Sequence, residues 1–185
     1  MKKYLTDYIE LPIIFINLTM NEKEKYEFIR GRVMSLEILV FNFRKAIEAA
    51  KRNNEPGELF RKFPVGQCGH ISDILAQYLI DNGISPVMYV NGTYYSDDFD
   101  DRYAHTWLLV NDLVIDITGD QFKFHEEPLK YDKPIYIGPM IKYYQLFEID
   151  PGGMHEHFGL ECHWSNYHEL KTWYEIILKY LEDLS

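Results

Sequence analysis

The 185-residue sequence predicts an α+β domain, and three features carry that expectation. Apolar residues recur at helical steps through 26–47 and again through 71–79. The period then falls from 3.6 to 2 across 87–118, where β-branched and aromatic residues gather. A last helical stripe closes the chain from 170 to 184. Helices first, antiparallel strands in the middle and a helix at the end is the order of an α+β fold.

Each element has its own justification. Residues 1–20 read as an irregular or short-strand arm. Thr19 and Glu22 have the spacing of a capping box. Behind them Tyr26, Ile29, Val33, Leu36, Val40, Phe43 and Ile47 predict one helix of about 30 residues, or two broken near Gly31. Asn53-Asn54-Glu55-Pro56-Gly57 ends it, and a loop runs to Gly66. Ile71, Ile74, Leu75, Tyr78 and Leu79 mark the next helix, closed by Asn82-Gly83. Strands are expected over 87–91, 103–110 and 113–118, with short ones near 135–137 and 145–149. Leu170, Trp173, Tyr174, Ile177, Leu178, Leu181 and Leu184 form the final helix, behind a start signal of Asn166 and Glu169.

Composition narrows the function classes. With 46% hydrophobic and 16% aromatic residues the chain can build a real core, as one domain with elaborations. A formal charge of −10 argues against nucleic acid or an anionic membrane as the main partner, because phosphate binding needs clustered Lys and Arg. The longest early apolar run, Leu11 to Leu18, is far short of the roughly 20 residues that span a bilayer. Asp7 and Glu10 also spoil it as a signal peptide. Two cysteines, Cys68 and Cys162, suit a cytoplasmic chain with reduced thiols.

Cys68, His105 and Asp116 are the residues with chemistry to offer. Cys68 falls in the first turn of the second helix, where unsatisfied N–H groups and the macrodipole favour a thiolate. Sharing a stripe with Ile71, Leu75 and Leu79, it also suits a small buried core position. His105 and Asp116 lie on the two arms of a hairpin turning at Asn111-Asp112. A two-residue turn pairs Val110 with Leu113 and puts His105, Trp107, Val114, Asp116 and Thr118 on one face. His105 and Asp116 are then diagonal neighbours, roughly 7–8 Å apart at the backbone and closer at their tips. A three-residue turn would send Asp116 to the far face. That far face, Ala104 through Ile117 in alternation, is nearly all apolar, so both faces need cover. A nucleophilic thiol, an imidazole base and a carboxylate that orients it make a triad for attack on an amide or ester carbonyl, with the Cys68 N–H as one oxyanion donor.

The ordered series Gly66-Gln67-Cys68, Asn82-Gly83-Ile84, Val90-Asn91-Gly92, His105-Thr106-Trp107 and Asp116-Ile117-Thr118 resembles the transglutaminase-like branch of the papain-like cysteine enzymes. There a Cys opens a helix, H-x-W follows on one strand and D-x-T on the next. The resemblance covers about residues 64–122. It implies a papain-like, transglutaminase-like fold with the catalytic helix packed on an antiparallel sheet, here with a long N-terminal and a C-terminal helix added. It also implies cofactor-free acyl chemistry on a peptide, protein or small amide or ester: protease, amidase, deamidase or acyltransferase. The organisation expected is one domain over 1–185, with 1–65 an arm and helical elaboration, 66–150 the catalytic core and 151–185 a loop and helix. Two family features are missing: Gln67 adjoins the nucleophile instead of preceding it by several residues, and there is no Arg-Gly-Gly lead-in. The alternative is a binding module that keeps the fold without turnover.

Gln67, Trp107 and Gln121 are candidates for contacting substrate or an oxyanion, although for Gln121 an amide that stabilises its turn is the simpler role. Asp97, Asp98, Asp100 and Asp101 read as a solvated acidic rim. His155, His157, Cys162 and His163 are potential zinc ligands whose spacing fits no common structural site, and no metal is expected. His70, two residues past Cys68, points about 200° round the helix from the thiol and is set aside as the base.

Overall fold

A computed structural model of the chain describes residues 22–96, 101–162 and 165–184, with side chains from Leu36 onward. The 1–20 arm, Thr19, Asp97, Asp98, Asp100 and His163 lie outside the described residues. Two compact units divide at Ile38/Leu39, inside the first helix, and every element after that helix belongs to the second unit.

Helix α1 (Glu22–Arg52) is continuous over 31 residues, without a break at Gly31. In the second unit its buried stripe is Val40, Phe43, Ala46, Ile47 and Ala50. A short helix α2 (Glu58–Lys62) occupies the expected loop and buries Leu59 and Phe60. Five residues are too few for a helical period to register in sequence. Helix α3 (Cys68–Asp81) follows. It ends as a Schellman cap: Gly83 N–H reaches Ile80 O at 2.9 Å and Ile84 N–H reaches Leu79 O at 2.9 Å. Gly83 sits at φ 76°, where a side chain would be strained.

Five antiparallel strands form one sheet in the order β4-β3-β2-β1-β5: β1 (Met88–Tyr95), β2 (Arg102–Val110), β3 (Leu113–Asp116), β4 (Tyr136–Gly138) and β5 (Glu148–Glu156). The molecule is thus α+β, and α3 packs on β2. Val110 pairs with Leu113 and Leu108 with Ile115, the register that the two-residue turn requires. Asn111 and Asp112 both take positive φ, 50° and 64°. β5 corrects the expectation of a short strand followed by a glycine-rich loop. It runs on through Pro151-Gly152-Gly153, and its pairing with β1 slips between Val90 and Gly92. Proline and glycine mark a bulge on an edge strand here, which the sequence pattern does not distinguish from a loop. The closing helix α4 (Tyr167–Glu182) buries Leu170, Trp173, Tyr174 and Ile177, while Leu184 is exposed.

One face of the sheet carries an aromatic cluster of Trp107, Phe122, Tyr143, Tyr144 and Phe147 with Val90 and Val114. No helix among the described residues is long and apolar enough to cross a membrane. The hairpin gives a direct test of register. Glycine is the preferred residue at the second turn position, so Asp112→Gly should raise stability by about 0.5–1 kcal/mol, read as a higher urea midpoint with the same m-value.

Candidate active site

The site is built where β3 stops short. β3 ends at Asp116, opposite Trp107 in the observed register, so β2 continues past it at His105. Asp116, fixed on the same face by alternation, closes on the imidazole: His105 Nε2–H donates to Asp116 Oδ2 at 2.8 Å. Both residues are sealed from solvent, at 0% and 2% exposure.

A carboxylate that deep needs its lone pairs filled. Thr118 supplies two donors to Oδ1, its N–H at 2.8 Å and its Oγ1–H at 3.1 Å. Tyr144 donates its hydroxyl to Oδ2 at 3.1 Å. Burial opposes ionisation of Asp116, but the charge and hydrogen bond of His105, with these donors, hold it below the usual carboxylate range. Gly119 makes the fit possible, since a Cβ there would stand 2.9 Å from Asp116 Oδ2. The imidazole is walled by rings: Phe122 edge-on at 5.2 Å, Phe147 at 5.5 Å and Trp107 at 5.8 Å between centroids.

Cys68 is the first residue of α3, and no side chain caps that turn. Its N–H groups are therefore the orphan donors of a helix head. The thiol is half-buried and lies against His105. Burial pushes it up, but hydrogen bonding and charge from His105, then hydrogen bonds from Gln121 and Thr106, bring it below the ordinary thiol value. Burial likewise pulls His105 down, while Asp116 first and Cys68 second push it up to about 9. The three residues picked out by type and spacing are thus brought together, in the order thiol, imidazole, carboxylate.

The supporting candidates divide. Gln121, expected to stabilise its own turn, instead enters the site: its Nε2 lies 3.1 Å from His105 Nδ1, and its Oε1 accepts the Gly66 N–H at 3.2 Å. The turn that carries it is a 3-10 helix, Gly119–Phe122, which aims the amide inward. Gln67 is the N-cap residue of α3 and is buried, with Oε1 3.4 Å from His70 Nδ1. It walls a cleft of about 580 Å³ with Glu58, Gly66, His70, Glu169 and Trp173, so His70 faces the cleft. Trp107 is fully buried within the aromatic cluster, where it braces His105 and presents no surface to a substrate.

Two contributors escaped the sequence reading. Arg44, 5% exposed, forks onto Asp120 with two bonds of 2.9 Å and donates to Ile117 O at 2.6 Å. It fastens α1 to the loop that follows Asp116. The signal was present, because position 44 falls on the stripe of Val40, Phe43 and Ile47, where a lone charge needs a buried partner. Tyr144 had no such signal in its neighbourhood.

Of the potential zinc ligands, His155, His157 and Cys162 are among the described residues. His155 is exposed and stacks on Tyr89 at 5.1 Å. His157 is buried, accepts the Gly159 N–H on Nδ1 at 3.1 Å and has Nε2 3.6 Å from Asp73. Cys162 is exposed. Among the described residues no three His, Cys, Asp or Glu side chains are grouped to hold a metal ion. No protein-family model, curated protein or solved structure matches the chain.

The electrostatics make a claim about stability. His105, raised from 6.5 to about 9, contributes stability that is whole below 6.5 and lost as pH climbs through about 9. Cys68, held below its ordinary 9.0, contributes with the opposite slope, whole above 9.0 and lost as pH falls. The two oppose one another between 6.5 and 9. Cys68→Ala removes the second, so the Tm of that variant should drop with rising pH across this window more steeply than that of the parent protein. Parallel curves from thermal melts at matched pH values would show the two groups to be uncoupled.

Proposed function

We propose that this chain is a cysteine-nucleophile enzyme of the transglutaminase-like, papain-like kind, acting on an amide or ester bond through a thioester on Cys68. The observation that carries the reading is the line Cys68–His105–Asp116, with the imidazole bonded to the carboxylate at 2.8 Å through Nε2 and its other nitrogen on the side where Cys68 and Gln121 stand. The placement of Cys68 at the head of a helix packed on the antiparallel sheet supports the same reading, as does the order of the motifs along the chain.

The reaction runs on the chain's own groups. His105 Nδ1 takes the proton from sulfur, and the S–H electron pair stays on sulfur. That pair attacks the carbonyl carbon while the C=O π pair moves to oxygen, beside the Cys68 N–H. On collapse the amine or alcohol leaves with the proton from His105, and the acyl group remains as a thioester. Water or a second nucleophile, deprotonated by the same nitrogen, attacks that carbonyl. The C–S pair returns to sulfur and the thiol is restored. Asp116 stabilises the imidazolium between these steps and keeps the ring oriented.

Two measurements test the reading. Iodoacetamide near pH 6 should label Cys68 well ahead of Cys162, and Asp116→Asn should cut the Cys68 rate by about a hundredfold. A 4-nitrophenyl ester should leave an acyl adduct on Cys68, seen by mass spectrometry and absent from Cys68→Ala. Equal, slow labelling of both thiols with no adduct would leave a binding module in place of an enzyme.

A further inference from the structure

Gln121 is held at both ends, and its two bonds have a direction. The Gly66 N–H is a donor and nothing else, so the atom that meets it at 3.2 Å is the amide oxygen. The amide nitrogen is thereby turned to His105 Nδ1, 3.1 Å away. An NH₂ group can only donate, so Nδ1 must accept and the ring proton must sit on Nε2. That agrees with Asp116, which as a carboxylate can only accept from Nε2. One backbone amide therefore sets the polarity of a chain that runs Gly66, Gln121, His105, Asp116.

We propose that Gln121 is a positioning residue that holds neutral His105 as the Nε2–H tautomer, with its lone pair on Nδ1, and that turns the same N–H onto sulfur once the proton has moved. The proton transfer breaks the S–H bond and forms Nδ1–H, the electron pair remaining on sulfur. Nδ1 then has no lone pair for Gln121. The thiolate beside it does, and Gln121 is one of the groups that donate to the thiolate form of Cys68. Gln121 thus has an acceptor on either side of the transfer, and neither state strands its N–H. The catalytic meaning of this device rests on the cysteine-nucleophile reading. The tautomer itself does not.

Gln121→Glu separates this role from that of a loop staple. A carboxylate keeps an oxygen for the Gly66 N–H, but it offers Nδ1 an acceptor and sulfur a like charge. Alkylation of Cys68 near pH 6 should then fall by about tenfold, with the half-maximal point of the rate–pH curve moved to higher pH. Gln121→Ala should move it in the same direction. In Cys68→Ala, where no thiol is present, the ¹⁵N spectrum of His105 should report Nε2–H above the pH of its titration. Adding Gln121→Glu should raise that titration. A Gln121→Glu alkylation profile that overlays the parent, or neutral His105 protonated on Nδ1, would overturn the proposal. If the parent shows no fast thiol at Cys68, the enzymatic reading fails, and the ¹⁵N spectrum still decides the tautomer.

Discussion

The bond between His105 and Asp116 is the constraint around which the rest of the molecule is arranged. Both partners are shut away from water, where an unpaired charge would be expelled or neutralised. Neither residue can be lost alone, because removing one partner of such a pair costs about 3–5 kcal/mol through the charge left behind. Four donors converge on the Asp116 carboxyl group, from His105, Tyr144 and twice from Thr118. The backbone must therefore turn sharply after Asp116, and Gly119 gives the room for it. The D-x-T spacing is the local expression of this need: the residue two on from the carboxylate returns an N–H and a hydroxyl to it.

That turn is braced from outside by a second, partly buried ion pair. Arg44 grips Asp120 through both guanidinium arms and also takes the Ile117 and Pro134 carbonyl oxygens. Burial works against its charge, yet Asp120 and Glu48 more than offset that and hold the guanidinium above its ordinary value. A bidentate fork fixes angle as well as distance. Arg44 of helix α1 thus fixes the loop that carries Gln121 to His105. The lead-in to α3 is tied to the same loop by the Gly66–Gln121 bond. Thiol, imidazole and carboxylate come from separate elements, and these two cross-links keep their spacing from depending on the sheet alone.

What the sequence disclosed and what it withheld follow the range of the interactions. Periodicity found α1, α3, α4 and the central hairpin because each is a local pattern. The two-residue turn at Asn111-Asp112 settled the face on which Asp116 lies, since register in a hairpin passes from the turn outward. His105 and Asp116 were legible together for that reason. The role of Gln121 was not, because it depends on Gly66, 55 positions earlier, and on a one-turn helix too short to leave a period. Arg44 left a trace as a charge on an apolar stripe, but its partner lies 76 positions on. β5 was hidden for another reason: Pro151-Gly152-Gly153 has the composition of a loop, and only an edge position lets a strand absorb it.

The aromatic enclosure of His105 bears on how a proton moves in the proposed reaction. Phe122, Phe147 and Trp107 cover the ring, and Nε2 is committed to Asp116. A proton taken from sulfur has one outlet, back through Nδ1 on the side where Cys68 and Gln121 stand. It is then delivered to whatever occupies that side when the tetrahedral centre collapses, which is the leaving group and not bulk water. An imidazole raised to about 9 is already protonated near neutrality and has no free lone pair on Nδ1 to act as a base. Here its strength as an ion-pair partner is the useful property, because the thiolate it sustains is the attacking species. The same burial that makes the Asp116 charge costly thus keeps the proton inside the site between acylation and release.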